Sequence, residues 1–302
     1  MLSNEVKKRL AKLNRRTIAR PHSAGPSPSS LSALPAESLG IISVPDIVGD
    51  AAVQKGPLRI EDVAPGRLVE RADGGLYWLI ERRLSDMAPR CVPFIRRYRD
   101  LLTSPALIVP AGTHRRLAEF VECDPHRALY LDIETTGLSG CPLFLVGAME
   151  FDGRDFVLKQ YFARNYAEER HLLADLADYL PTFEVLVTFN GRAFDAPYIR
   201  DRATVNRLTV GWPPRHLDLL PLSRRRWARS FPNCKLGTLE QLVCRRHRVE
   251  DIPGDQIPAV YHEFVHTNDA SKIRYVVHHN ALDLLTMAEL ALFMLTGQKD
   301  WD

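Results

Sequence analysis

Along residues 129–134, apolar Leu129, Leu131 and Ile133 alternate with Tyr130, Asp132 and Glu134. Side chains of a strand point alternately to its two faces, so this period of two predicts a strand over 128–135 with Asp132 and Glu134 on one face. Two runs of the same kind, 142–151 and 155–162, flank the Asp152-Gly153 turn and predict an antiparallel meander with the first. Beyond them the period lengthens. Residues 167–179, rich in Leu, Ala, Glu and Asp and stopped before Pro181, predict a helix. EVLVTF at 184–189 predicts a buried strand, a helix opens near Ala196, 215–217 predicts a short edge strand, and the last helix spans 272–295. This order describes an α/β sandwich, a mixed five-stranded sheet flanked by helices, over 121–302.

Upstream the pattern is weaker. RLVER and LYWLIERR around Gly74 and Gly75 predict a hairpin, and FIRRYRDLL at 94–102 a helix, so 46–120 is expected to form a small α+β unit. Tyr77 and Trp78 in that hairpin read as packing residues or as platforms for stacked bases. Leu2, Val6, Leu10 and Leu13 recur at helical spacing among basic residues, and a Pro- and Ser-rich stretch follows. Residues 1–45 are therefore expected to be a basic amphipathic helix and a disordered linker.

Composition narrows the class. Of 302 residues 45% are apolar and 25% charged, as in ordinary globular proteins. No apolar run is long enough to span a bilayer, and no apolar core follows the N-terminal charges, so a cytoplasmic location is expected. Five cysteines, without any C-x-x-C spacing, argue against a zinc site and a disulfide framework. The net charge of +3 is uneven: Lys7, Lys8, Arg9, Lys12, Arg15, Arg16 and Arg20 face Glu5 alone, leaving the rest of the chain slightly acidic. Such an arm is equally a hook for a phosphate backbone and a solvated helix.

The chemistry starts from Asp132 and Glu134. Two like charges on a buried-looking strand are costly, and a divalent cation would relieve the cost. An isolated D-x-E is also simply a strand whose polar face meets solvent. Asp195, after EVLVTF and the Asn190-Gly191 turn, precedes Ala196-Pro197 and on its own reads as a helix cap. Asp283 lies on the last helix in HHNALD. A helix turns about 100° per residue, so His279 shares the Asp283 face and His278 is displaced by about 140°.

Taken together, these residues resemble the DEDD (DnaQ-like) exonuclease superfamily of the RNase H-like fold, at LDIETTGL, VTFNGRAFDAPYI and HHNALD. Within it the stretch IPGDQIPAVYHEFVHTND with HNALDLLTM, and RHLDLLPLSRRRW, are similar to the YprB-type group. In that superfamily a histidine five residues before the final Asp, or a tyrosine four before it, is the base. This chain has histidine at both places; helix geometry and the His279-Asn280 pairing favour His279, with His278 as the alternate. The resemblance implies an RNase H-like fold and two Mg²⁺ or Mn²⁺ ions held by Asp132, Glu134, Asp195 and Asp283. It also implies hydrolysis of phosphodiester bonds, as a 3′–5′ exonuclease acting on single-stranded DNA or RNA. The donor types suit such ions, which prefer carboxylate oxygen and water.

Thr135, Asn190, Phe194 and Arg226 are the candidate substrate contacts. Arg226 belongs to the run Arg224, Arg225, Arg226 and Arg229; Arg245, Arg246, His247 and Arg248 form a second. Either run could follow a nucleic-acid backbone or be a solvated helix face. His216 and Asp218 read as groups supporting the site or as strand-end polar residues. Two other functions stay in view: a nucleic-acid-binding module of this fold without activity, and a protein-interaction scaffold.

Overall fold

The structure, a computed structural model, describes residues 56–103, 114–249 and 251–296. The chain divides into two units, Met1–Glu37 and Ser38–Asp302, and every described residue lies in the second. The helix and linker expected over 1–45 fall outside the described residues. Among the described residues no helix is long and apolar enough to cross a membrane.

In chain order come β1 (Arg67–Glu70), β2 (Leu76–Arg83), α1 (Val92–Thr103), α2 (Arg115–Val121), β3 (Ala128–Thr135), β4 (Leu143–Phe151) and β5 (Phe156–Phe162). They are followed by α3 (Glu169–Tyr179), β6 (Val185–Thr188), α4 (Asp195–Val205), β7 (Arg215–Asp218), α5 (Leu219–Trp227), α6 (Leu236–Leu242), α7 (Ile257–Thr267) and α8 (Ile273–Thr296). One sheet takes all seven strands in the order β1-β2-β5-β4-β3-β6-β7. The pairs from β1 to β3 are antiparallel, while β3 with β6 and β6 with β7 are parallel. The mixed α/β sheet flanked by helices is the expected class.

The sheet is nevertheless two strands wider than expected. β2 does not end its pairing at the hairpin but runs along β5 from Trp78 opposite Phe162 to Arg83 opposite Val157. Tyr77, Trp78, Leu79 and Ile80 are buried in succession, so both faces of β2 are covered. A free hairpin would leave that surface in water and would be marginal at best. Tyr77 and Trp78 are accordingly packing residues: the Tyr77 hydroxyl donates to Asp175 at 2.5 Å and Trp78 Nε1 to the Ala64 carbonyl at 2.9 Å.

Two features place the site. Because β3, β6 and β7 run parallel, the segments leaving β3 and β6 emerge at the same end of the sheet, where open α/β sheets bind their ligands. The 24-residue α8 is apolar on nearly every side, which suits a helix enclosed by the sheet and by other helices. It packs on β3 and β4. Gly147 on β4, opposite Asp132, makes this close approach possible, since a Cβ there would collide with the Asn280 amide of α8. Gly147→Ala is expected to cost about 1–3 kcal/mol by overpacking. A urea midpoint equal to that of the parent would show that α8 yields freely.

Candidate active site

Asp132 and Glu134 lie on one face of β3 and are half-buried, while Leu131 and Ile133 are buried on the other. The register of β3 against β4 shifts at Glu134/Thr135, so regular pairing stops immediately after the pair. Asn280 Nδ2 donates to Asp132 Oδ2 at 2.9 Å, and the Asn280 oxygen accepts from Gln160 Nε2 at 2.8 Å. This chain from β5 through α8 fixes the Asp132 carboxylate. Asp195 is buried at the first position of α4, where the N-cap residue is Phe194 and makes no capping bond. Asp218 caps a different helix, α5, by accepting from Leu220 N, and also accepts from Asn190 N and Arg192 N in the turn before α4. Asp218 thereby holds the turn that leads into Asp195.

The carboxylates feel one another. Burial raises the Asp132 pKa well above its ordinary value, and the charges of Asp283, Glu134 and Asp195 raise it further. Burial pushes Glu134 up to about 8, with His279 pulling down and Asp283, Asp195 and Asp251 pushing up. Asp195 is pushed up to about 7 by burial against the pull of its own backbone N–H; Asp218 adds to the rise, the backbone of Ile133 opposes it, and Asp283 adds again. That the Ile133 backbone acts on it sets Asp195 against β3, between the positions of the pair. Four acids from three separate stretches therefore face one neighbourhood.

His279 and His278 occupy different surroundings. His279 Nε2 stands 3.6 Å from Asp283 Oδ2, one turn along α8, and its Nδ1 pairs with Asp251 Oδ1 at 2.8 Å. Burial works against its charge, but the Asp251 hydrogen bond and the charges of Asp283 and Glu134 prevail and hold its pKa up at about 9. His278 is fully buried, neither ring nitrogen has a hydrogen-bond partner among the described residues, and burial lowers its pKa to about 4. It is a neutral core residue.

Arg248 completes the cluster. Its guanidinium ion-pairs with Asp283, reaches Asp251 Oδ2 at 3.2 Å and donates to Glu240 Oε2 at 2.6 Å. Arg248, Asp251, His279 and Asp283 line a cleft of about 570 Å³. Arg246, two residues earlier, is fully buried between Glu240 Oε1 at 2.7 Å and Glu289 Oε2 at 2.9 Å. The 245–248 run is thus not a backbone-tracking surface at these two positions. Charged groups buried at this depth are satisfied by carboxylates rather than by ligand or water.

The candidate substrate contacts separate. Thr135 is buried beside the pair and its hydroxyl donates to the Gly137 carbonyl at 2.8 Å. Asn190 is exposed in a left-handed turn (φ 68°), and Phe194, also exposed, packs at 5.5 Å on Tyr198 just before Asp195. Arg226 lies elsewhere: its guanidinium covers the rings of Trp227 and Phe293. Phe293 is about 15 Å beyond Asp283 along α8 at 1.5 Å rise per residue. His216 Nε2 is 2.8 Å from the Thr188 hydroxyl at the end of β6. Sequence reasoning missed Asp251 and Gln160, and it read Arg248 as part of a basic run rather than as the partner of Asp283 and Asp251. The readable signal was Asn280, three residues before Asp283 on the same helix.

The donor set suits a hard divalent cation, being four carboxylates without sulfur. Three of them have raised pKa values from burial and mutual charge, the repulsion such a cation would relieve. Among the described residues no group of three or more His, Cys, Asp or Glu stands close enough together, as the side chains lie, to hold a metal ion. The positive charge at Asp283 comes from Arg248 and from His279, whose raised pKa keeps it protonated at neutral pH.

Comparison with known proteins follows the same stretch. The profile of the RNase_H superfamily matches residues 129–294. An uncharacterized protein, YprB, of Bacillus subtilis (strain 168) is 32% identical over 172 residues, which is 55% of this chain and 41% of that protein, so this chain spans less than half of its relative's length. The family B DNA polymerase from the hyperthermophilic archaeon Pyrobaculum calidifontis aligns with a TM-score of 0.44 at 21% identity, over 56% of this chain and 24% of that one.

Proposed function

Since the chain belongs to the RNase_H superfamily, we propose that it is a DEDD-type, metal-dependent nuclease of the YprB-type group, a 3′–5′ exonuclease acting on single-stranded DNA or RNA. The observation that supports this most is the meeting of Asp132, Glu134, Asp195 and Asp283, drawn from β3, α4 and α8, with His279 beside Asp283. These four carboxylates would hold two Mg²⁺ or Mn²⁺ ions. Bound there, such ions lower the pKa of water and stabilise charge on the attacking and leaving oxygens of a phosphodiester.

The protein's own groups do the rest. Asp251 occupies His279 Nδ1 and so turns Nε2 towards Asp283 and the reacting water. At neutral pH the imidazole is protonated and cannot accept a proton. Neutralising Asp283 and Glu134 removes two of the influences that keep it so, and the Nε2 lone pair becomes available as a general base. Arg248 meanwhile keeps Asp283 and Asp251 from repelling each other.

The test is incubation of the wild type and Asp132→Asn with end-labelled single- and double-stranded DNA and RNA in Mn²⁺. Stepwise shortening from the 3′ end by the wild type alone is expected. Binding without cleavage by either protein would instead make the chain a silent nucleic-acid-binding module, and neither activity would leave a scaffold. His279→Gln, which keeps the size but not the basicity, is expected to slow single-turnover cleavage by about 10²–10⁴-fold. A rate within a few-fold of wild type would exclude His279 as the base.

A further inference from the structure

A second charged cleft opens at the β7 edge of the sheet. Its volume is about 750 Å³, and its walls come from α2, the turn at Arg192 and the start of β7. Four arginines line it, and two of them are neutralised locally. Arg115 pairs with Glu119 at 2.8 Å, and Arg215 lies 3.5 Å from Glu184 with its guanidinium also on Cys123 Sγ. Arg116 and Arg192 have no carboxylate partner among the described residues. Arg192 instead donates to the His216 carbonyl at 2.6 Å, which places its guanidinium on this wall of the cleft.

The charge of Arg116 reaches Arg192. The Arg192 pKa is lowered by burial and then by the charge of Arg116, with Asp218 opposing. His216 on the same wall is lowered to about 4 by burial, and both arginines contribute to the fall. Like charges held in one concave site are unfavourable until an anion joins them. β7 stands two strands from β3, roughly 10 Å at the usual strand spacing, and Arg192 is three residues before Asp195. A strand whose scissile bond lies at the carboxylates can therefore lay a neighbouring phosphate here.

We propose that Arg116 and Arg192 form a phosphate-binding site for the backbone of a single nucleic-acid strand, beside the catalytic carboxylates and separate from them. The proposal rests on the nuclease reading for its substrate, but not for its chemistry. Binding of a fluorescent oligothymidylate and an oligouridylate to the full chain in EDTA, followed by anisotropy over a range of salt, tests it without any cleavage. Arg116→Gln with Arg192→Gln is expected to weaken binding at least ~10-fold. The slope of log K against log salt should fall by roughly 1.4, about 0.7 for each phosphate of a single strand that is no longer neutralised. Arg90→Gln, an exposed arginine between β2 and α1 that lines neither cleft, serves as the control and should bind as the wild type does. Arg116→Gln alone removes a charge that makes no ion pair among the described residues, so it reports even if the double variant folds poorly.

Unchanged affinity and slope in the arginine variants would overturn the proposal, as would a wild type that binds neither oligonucleotide. Full competition by millimolar inorganic phosphate would also overturn it, by assigning the cleft to the free ion. Arginine-dependent binding with no cleavage in Mn²⁺ would sustain this site and sink the nuclease reading. Cleavage with arginine-independent binding would do the reverse.

Discussion

Replacing Asp132 with Asn is expected to remove hydrolysis and, in the same molecule, to stabilise the metal-free fold at neutral and alkaline pH. The loss follows from deleting a charge that would hold a divalent ion. Several kcal/mol of transition-state stabilisation corresponds to a fall of about 10³-fold or more in rate. The gain follows from linkage. Asp132 has a pKa raised by burial and by Asp283, Glu134 and Asp195. The folded state therefore keeps a proton that the unfolded chain releases, and stability falls as pH rises above the ordinary carboxylate range.

Glu134, pushed to about 8 from 4.5, has the same sign over that window. His279, raised to about 9 from 6.5, contributes stability that is fully present below pH 6.5 and is lost as pH rises through about 9. All three push one way, so the melting temperature of the metal-free wild type should decline between pH 5 and 9, and that of Asp132→Asn should decline less. Asparagine keeps a side-chain oxygen for the Asn280 amide, so no buried donor is orphaned. A variant melting below the wild type at pH 8 would mean that the carboxylate is not under the repulsion described.

Arg246→Met is expected to be the most damaging single change to the fold. Arg246 is wholly buried, its partners Glu240 and Glu289 are likewise enclosed, and Thr286 accepts from its second guanidinium nitrogen. Burial raises the Glu289 pKa to about 7 even with Arg246 pulling it down. Methionine fills much of the space but leaves two buried carboxylates facing one another, at a cost of ~3–5 kcal/mol. For a domain whose stability is typically ~5–15 kcal/mol, that is a large share. Denaturant midpoints read it directly, and Arg246→Met combined with Glu289→Gln should recover part of the loss. The effect reaches the site as well: Glu240 holds Arg246 with one oxygen and Arg248 with the other, and Arg248 holds Asp283. A midpoint shift under 1 kcal/mol would show that the network relaxes at no cost.

Much of this was legible in the chain because it is local. β3 declares itself through strict alternation, and α8 through Asp283 and His279 one turn apart on a helix closed by neighbours. What escaped depends on contacts remote in sequence. The pairing of β2 with β5 joins residues about eighty positions apart, and nothing in the local period of LYWLIERR says which strand will cover its second edge. Asp251 and Arg248 lie in irregular chain between α6 and α7, where no periodicity assigns a direction. There the left-handed residue Arg245 (φ 55°) precedes an Arg246 that is buried, although the run reads as surface by composition. Arg226 failed for the complementary reason: a basic run after β7 says nothing of distance from Asp283, and α5 carries it to Phe293 instead.

Whether these carboxylates form one shared cation site is answered most directly by calorimetric titration of Mn²⁺ into the full chain, with Asp132→Asn alongside. Two ions per wild-type chain, with at least one lost in the variant, is the expected result. No binding to the wild type at millimolar Mn²⁺, or equal binding to both proteins, would contradict it.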